Sequence, residues 1–256
     1  MFDMVASERR APPDVISLNY DLLAERALII VAQHHKMRPF PDYGCDVETP
    51  AYKRARGSHQ MLKLHGSVNW RYCAGCHRLQ FGVTQQIPKS ARALTHEIHD
   101  ATLRFEHLYA QRANVCRGCG GALRALMIAP TSRKDYRNPH ITSIWYRAER
   151  LSQSADRVIF VGYSLPENDV DVIYLLKRSL SNLPPEKVTV VEFDKSERTL
   201  ESHPVGQRYR SLFGSSIEWS TAGFMGWLAK YDQADQSILT RSPTRKGPRI
   251  WRKARP

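Results

Sequence analysis

Short apolar runs alternate with amphipathic stretches along most of the chain. Val15 to Leu18 reads as a strand, followed by the polar turn Asn19-Tyr20-Asp21 and a helical run from Leu22 towards Gln33. Met61 to Leu64 reads as a second strand, ending at His65, and Leu123 to Ile128 as a third, stopped by Pro130. A helix from about Ile141 to Ser154 leads into Arg157 to Val161, whose unbroken apolar run marks a buried strand. Asn168 or Asp169 caps a helix running to Leu180. Val188 to Phe193 is another buried strand, Ile217 to Trp219 a short one, and Phe224 to Tyr231 the last helix. Continuous β-branched runs separated by helices predict an α/β fold, a doubly wound parallel sheet covered on both faces.

Two cysteine pairs interrupt this rhythm, Cys73-x-x-Cys76 and Cys116-x-x-Cys119, separated by a polar insert of 39 residues. Two thiolates two residues apart can grip one ion from a tight turn, and two such turns complete a tetrahedral sulfur shell that selects zinc. Four protein ligands leave no position for water or substrate, so the expected metal is a structural clamp in a zinc-ribbon insert. His77 beside the first pair is the alternative ligand, while His96, His99 and His107 read as surface residues.

Composition changes this picture little, and charge changes it more. A chain of 256 residues with 42% hydrophobic and 25% charged residues is of ordinary globular make-up. The net charge of +13 suggests nucleic acid until it is located: seven basic residues and no acidic one lie in 241–256, leaving +6 for the remainder. That proline-containing tail reads as disordered, either a solubilising terminus or a contact for nucleic acid or an acidic partner. No apolar run approaches membrane-spanning length, and the first residues lack a signal-peptide core, so no membrane partner is expected. Metal spacing accounts for every cysteine except Cys45, as in a reducing, cytoplasmic compartment.

In a doubly wound sheet ligands sit beyond the carboxyl ends of the strands. Four predicted strands end in polar or small residues: Asn19 with Asp21, His65, Gly162 to Ser164, and Glu192 to Asp194. Taken in order, these ends resemble the sirtuin family in its broad bacterial sirtuin-like branch. Ser17-Leu18-Asn19-Tyr20-Asp21 is similar to that family's Thr-Gln-Asn-Ile-Asp motif, and His65-Gly66 to its catalytic His-Gly, followed by the two cysteine knuckles. Gly162-Tyr163-Ser164-Leu165 resembles the Gly-Thr-Ser loop, and Val190 to Asp194 a strand end that reaches the adenosine. The resemblance implies a Rossmann-like domain with a small zinc domain, the cofactors NAD and zinc, and cleavage of the nicotinamide–ribose bond of NAD. It implies that Asn19 holds the ribose or an attacking water, that Asp21 orients the carboxamide or the loop beside it, and that His65 is a general base. By the same likeness Gly162, Tyr163 and Ser164 hold phosphate or ribose oxygens, and Glu192 or Asp194 accepts from the adenosine ribose.

Each of these residues has a plainer role open to it. Asn19 and Asp21 are good caps for the following helix, Gly162 to Ser164 can be a tight turn, and Asp169 or Asp194 can be a cap. The resemblance also has gaps. The family's opening Gly-rich loop is missing, which predicts a truncated or incompletely annotated chain, unstable or inactive as 1–256. Leu18 stands where deacylases have glutamine, and Ala129 to Lys134 where they have Phe-Gly-Glu. Hydrolysis of NAD, as in sirtuin-like hydrolases of anti-phage defence, is therefore placed ahead of deacylation of an acylated protein. A non-catalytic zinc-ribbon module contacting nucleic acid or a protein is the third reading. The expected organisation is residues 1–70 and 123–235 as the two parts of the Rossmann-like domain, 71–122 as the zinc insert, and 236–256 as the basic tail.

Overall fold

Residues 13–25, 27, 41–48, 60–81, 115–128 and 136–230 are described by the structure, a computed structural model. The basic tail, the central part of the cysteine insert, residues 129–134 and most of the helix expected after Leu22 lie outside the described residues. Two units organise the chain: residues 1–154 with 174–180, and residues 155–173 with 181–256.

In the first unit, β1 (Val15–Ser17) pairs in parallel with β3 (Met61–Lys63), in the register Val15 to Met61. A second, four-stranded sheet has the order β2 (Val47–Glu48), β5 (Leu79–Phe81), β4 (Gly66–Cys73), β6 (Leu123–Met127). Here β4 runs antiparallel to both neighbours, and β2 lies parallel to β5. Helix α1 (Pro139–Gln153) starts where Asn138 accepts from His140 N at 3.0 Å, with Pro139 at its first position. Its Ile141, Ile144 and Ala148 recur at helical spacing and are fully buried against Met61, Leu62, Leu64, Trp70 and Leu79. Burying Ile141 and Ile144 contributes roughly 1.5–3 kcal/mol each, so this stripe fixes where α1 lies.

The second unit is a parallel sheet in the order β7 (Val158–Val161), β8 (Val188–Val191), β9 (Glu218–Ser220). All four residues of the central strand β8 are buried, which is why Val-Thr-Val-Val reads as an apolar run rather than an alternation. Helix α2 (Val170–Ser179) follows the loop after β7; its first residues belong to this unit, and those from Tyr174 on belong to the first, where Leu175 joins the core. Helix α3 (Pro204–Phe213) was not expected from the sequence. His203 caps it, its Nδ1 accepting from Val205 N at 3.1 Å, and Gly214 at φ 92° ends it. Its Tyr209 is fully buried and lies with Phe213 against Phe160 of β7, at 5.0 and 5.7 Å between ring centroids. A final helix, α4, spans 223–230.

The parallel pairing foreseen for the Rossmann-like strands is present in β1–β3 and in β7–β8–β9. The antiparallel pairs around β4 were not foreseen. No helix among the described residues is long and apolar enough to cross a membrane.

Candidate functional site

The turn after β1 is held almost entirely through its backbone. Ser17 O accepts from Leu64 N at 3.0 Å, Leu18 O from His65 Nδ1 at 3.2 Å, and Tyr20 O from Val68 N at 3.0 Å. Asp21 O accepts from the buried Lys63 Nζ, which also forms an ion pair with Glu25 at 2.8 Å. Burial pushes the Glu25 carboxyl above its ordinary range, with Lys63 pulling the other way. The segment 63–68 thus fixes the turn while the Asn19 side chain remains exposed. Asp21 differs, because its Oδ1 accepts from Leu23 N at 3.0 Å and caps the helical turn at 23–25.

His65 stands between β3 and β4 and is 8% exposed, its ring beside those of Tyr20 and Trp145 at 6.2 and 6.4 Å. A carbonyl can only accept, so the contact with Leu18 O places the proton on Nδ1 and makes Nε2 the basic nitrogen. Gly66 follows at φ 81°, and a Cβ there would lie 2.2 Å from Leu126 O, so the His-Gly pair requires this glycine both for its turn and for the approach of β6.

β4 continues from Gly66 to Cys73, the first ligand of the cysteine group. Cys73, Cys76, Cys116 and Cys119 bring their sulfurs within 4.8 Å of one another. The pairs Cys73–Cys119 and Cys76–Cys116 lie 3.5 and 3.4 Å apart, close to the edge of about 3.8 Å that a tetrahedron of 2.3 Å zinc–sulfur bonds requires. The two turns share one design: Cys73 N donates to Arg78 O and His77 N to Cys73 O, as Cys116 N does to Gly121 O and Gly120 N to Cys116 O. His77 and Gly120 occupy equivalent positions at φ 59° and 75°. His77 is not brought in as a ligand, since its Nδ1 meets the Tyr72 hydroxyl. His140 of α1 ties the first turn down by donating from Nε2 to His77 O at 2.7 Å. The four cysteines can hold zinc as a closed structural site.

In the second unit the predicted residues gather at the carboxyl end of one sheet. Gly162 N donates to Val191 O at 3.0 Å, Glu192 N to Ser220 O at 2.8 Å, and Gly223 N to Glu192 O at 2.9 Å, so the loops after β7, β8 and β9 are laced together. Gly162 adopts φ 63° with open space where a Cβ would be. The Tyr163 hydroxyl donates to Asp169 at 2.8 Å, and Asp169 O accepts from Ile173 N at 3.0 Å in the first turn of α2. Asp194 is occupied within its own turn: Oδ2 meets Arg198 Nε at 2.8 Å and Oδ1 accepts from Ser196 N at 3.1 Å. The Arg198 side chain, with the backbone N–H groups of Ser196 and Arg198, holds this carboxyl far below the usual carboxylate range. Glu192 Oε1 accepts from the N–H of Phe193 at 3.0 Å, a bond to its own neighbour, and is the more available of the two acids.

The sequence did not point to Lys63, Glu25, Arg208 or Tyr209, because each acts through a contact distant along the chain. The one available hint was Pro204 after a capping His203, with Gly214 beyond, the punctuation of a short helix.

The model of the SIR2-like domain family matches residues 13–208. Among solved structures, Sir2 in complex with the inhibitor EX-527, 2'-O-acetyl-ADP-ribose and deacetylated p53 peptide is 15% identical, with a TM-score of 0.41 over 93% of this chain and 72% of that one. Sir2 bound to acetylated peptide is 14% identical, with a TM-score of 0.45 over 93% and 71% of the two chains. A Sir2 homolog–NAD complex is 16% identical, with a TM-score of 0.42 over 93% and 64%. Comparison with curated protein sequences gives no match.

Proposed function

The chain belongs to the SIR2-like domain family, and from that premise we propose that it cleaves the bond between nicotinamide and ribose in NAD with water as the acceptor. The products are nicotinamide, ADP-ribose and a proton. The observation that carries this reading is the pairing of a buried His65, whose Nε2 is the basic nitrogen, with a rigidly held turn that exposes Asn19. Nε2 takes a proton from a ribose hydroxyl or from the attacking water. The Asn19 amide, able to donate and accept, orients the ribose or that water as positive charge builds on the sugar. Asp21 serves by shaping the turn.

Within the second unit by itself, the Gly162–Ser164 loop is suited to hold phosphate oxygens and Glu192 to accept from ribose hydroxyls, beyond the carboxyl ends of the strands, where α/β folds bind nucleotides. Cys73, Cys76, Cys116 and Cys119 would hold zinc near the β4–β5 turn, where it would supply structure and no bond-breaking chemistry. Water is favoured over acyl-lysine because the chain beyond Ser164 runs through Leu165 and Pro166 into α2 rather than forming an extended edge for a peptide. The test is to incubate the full-length protein with NAD, with and without acetylated peptide, and to quantify nicotinamide. Release without peptide that disappears in His65→Ala is expected; release that requires peptide identifies a deacylase instead.

A further inference from the structure

The loop Gly162–Ser164 takes its shape from α3. The Tyr209 hydroxyl donates to Tyr163 O at 2.8 Å, and Arg208 Nε donates to Ser164 O at 2.9 Å. Adjacent residues of one helix therefore capture adjacent carbonyls of the loop. The direction of the Tyr209 hydroxyl is set by packing, since its ring is fully buried against Phe160 and Phe213. In a trans peptide the carbonyl and the following N–H point in opposite directions, and no peptide bond among the described residues is cis. With the carbonyls of Tyr163 and Ser164 turned towards α3, the N–H groups of Ser164 and Leu165 are turned away from it. Leu165 is held at φ 50° with its side chain 3% exposed. A non-glycine residue adopts that conformation only where its surroundings impose it. Successive N–H groups aimed to one side form a concavity for anions.

We propose that Tyr209 and Arg208 are positioning residues that aim the Ser164 and Leu165 N–H groups at the phosphates of the bound dinucleotide. The proposal rests on the reading of this chain as an NAD-consuming protein. Neither side chain need touch the ligand; both act through the loop backbone.

Tyr209→Phe preserves the ring and removes only the donor, and Arg208→Ala removes the other, while Arg208→Lys keeps a cation that can still reach the carbonyl. Calorimetry on the full chain measures affinity for ADP-ribose and for adenosine, which has the base and ribose without phosphate. Loss of one such hydrogen bond, from the neutral Tyr209 hydroxyl or the charged Arg208 guanidinium, corresponds to about a tenfold effect. Tyr209→Phe and Arg208→Ala are expected to weaken ADP-ribose by that factor with adenosine unchanged. Arg208→Lys is expected to restore most of the loss, and KM for NAD to rise with kcat unaltered. Equal weakening of both ligands, or of neither, in a wild-type background that binds ADP-ribose overturns the positioning role alone. A wild type that binds neither ligand and releases no nicotinamide overturns the dinucleotide reading and this proposal with it. Should Tyr209→Phe lower the melting temperature steeply, the Arg208 pair decides.

Discussion

Asn19 shows its amide to solvent while Asp21, two residues later, has an oxygen committed to Leu23 N. Their substitution by alanine should therefore separate. Asp21→Ala removes a cap and is expected to cost about 1 kcal/mol of stability in denaturant unfolding, with a partial loss of activity. Asn19→Ala is expected to leave stability unchanged and to suppress nicotinamide release at least a hundredfold, roughly 3 kcal/mol of barrier. The sequence named both residues but could not divide the work, because Asn and Asp before a helix look alike until their partners are known. Asp194 gives a pH test. Its carboxyl is held below its ordinary range, first by Arg198, so the stabilisation it gives is present above the unfolded-state value near 4 and fades as pH falls below it. Asp194→Asn should thus lower the melting temperature at pH 7, and the gap to wild type should narrow on acidification below about pH 4.

The elements that the sequence revealed are those whose periodicity agrees with their burial. β8 is buried at every position and α1 carries an apolar stripe at helical spacing, so both stand out from their neighbours. β4 does not, because its polar Ser67 and Arg71 are buried along with Trp70. Short α3 was hidden by its arginines, with Val205, Gly206 and Tyr209 buried and Phe213 packed on Phe160. The cysteine turns were legible because ligand spacing is a local property, and the structure brings all four sulfurs together. Elemental analysis is expected to find one zinc per chain. Cys119→Ser or strong chelation should lower the melting temperature and remove the slow amide exchange of β4 and β5 near the turns. Acidification should release the metal, as protons compete for the thiolates.

For the whole molecule, the order of five short motifs conveyed more than any one of them, and the SIR2-like match over residues 13–208 agrees with it. What the order could not convey is pairing: the parallel strands fall in two sheets, one in each unit, with a mixed sheet beside the first. Charge is the other molecular property with a consequence. Seven basic residues in 241–256 contribute over half of the net +13. Deleting them should weaken retention on DNA at low salt and flatten its salt dependence, while nicotinamide release stays unchanged. β4, finally, is a beam. It begins beside His65 and ends on Cys73, and its eight residues reach about 26 Å. The beam is tied at both ends, by the cysteine turn at Cys73 and by the bonds of Leu64, His65 and Val68 to the turn after β1 at its root. Losing the metal therefore slackens one of two anchors on the imidazole. Partial zinc loss would then appear first as a broadened distribution of turnover among molecules, before any of them unfolds.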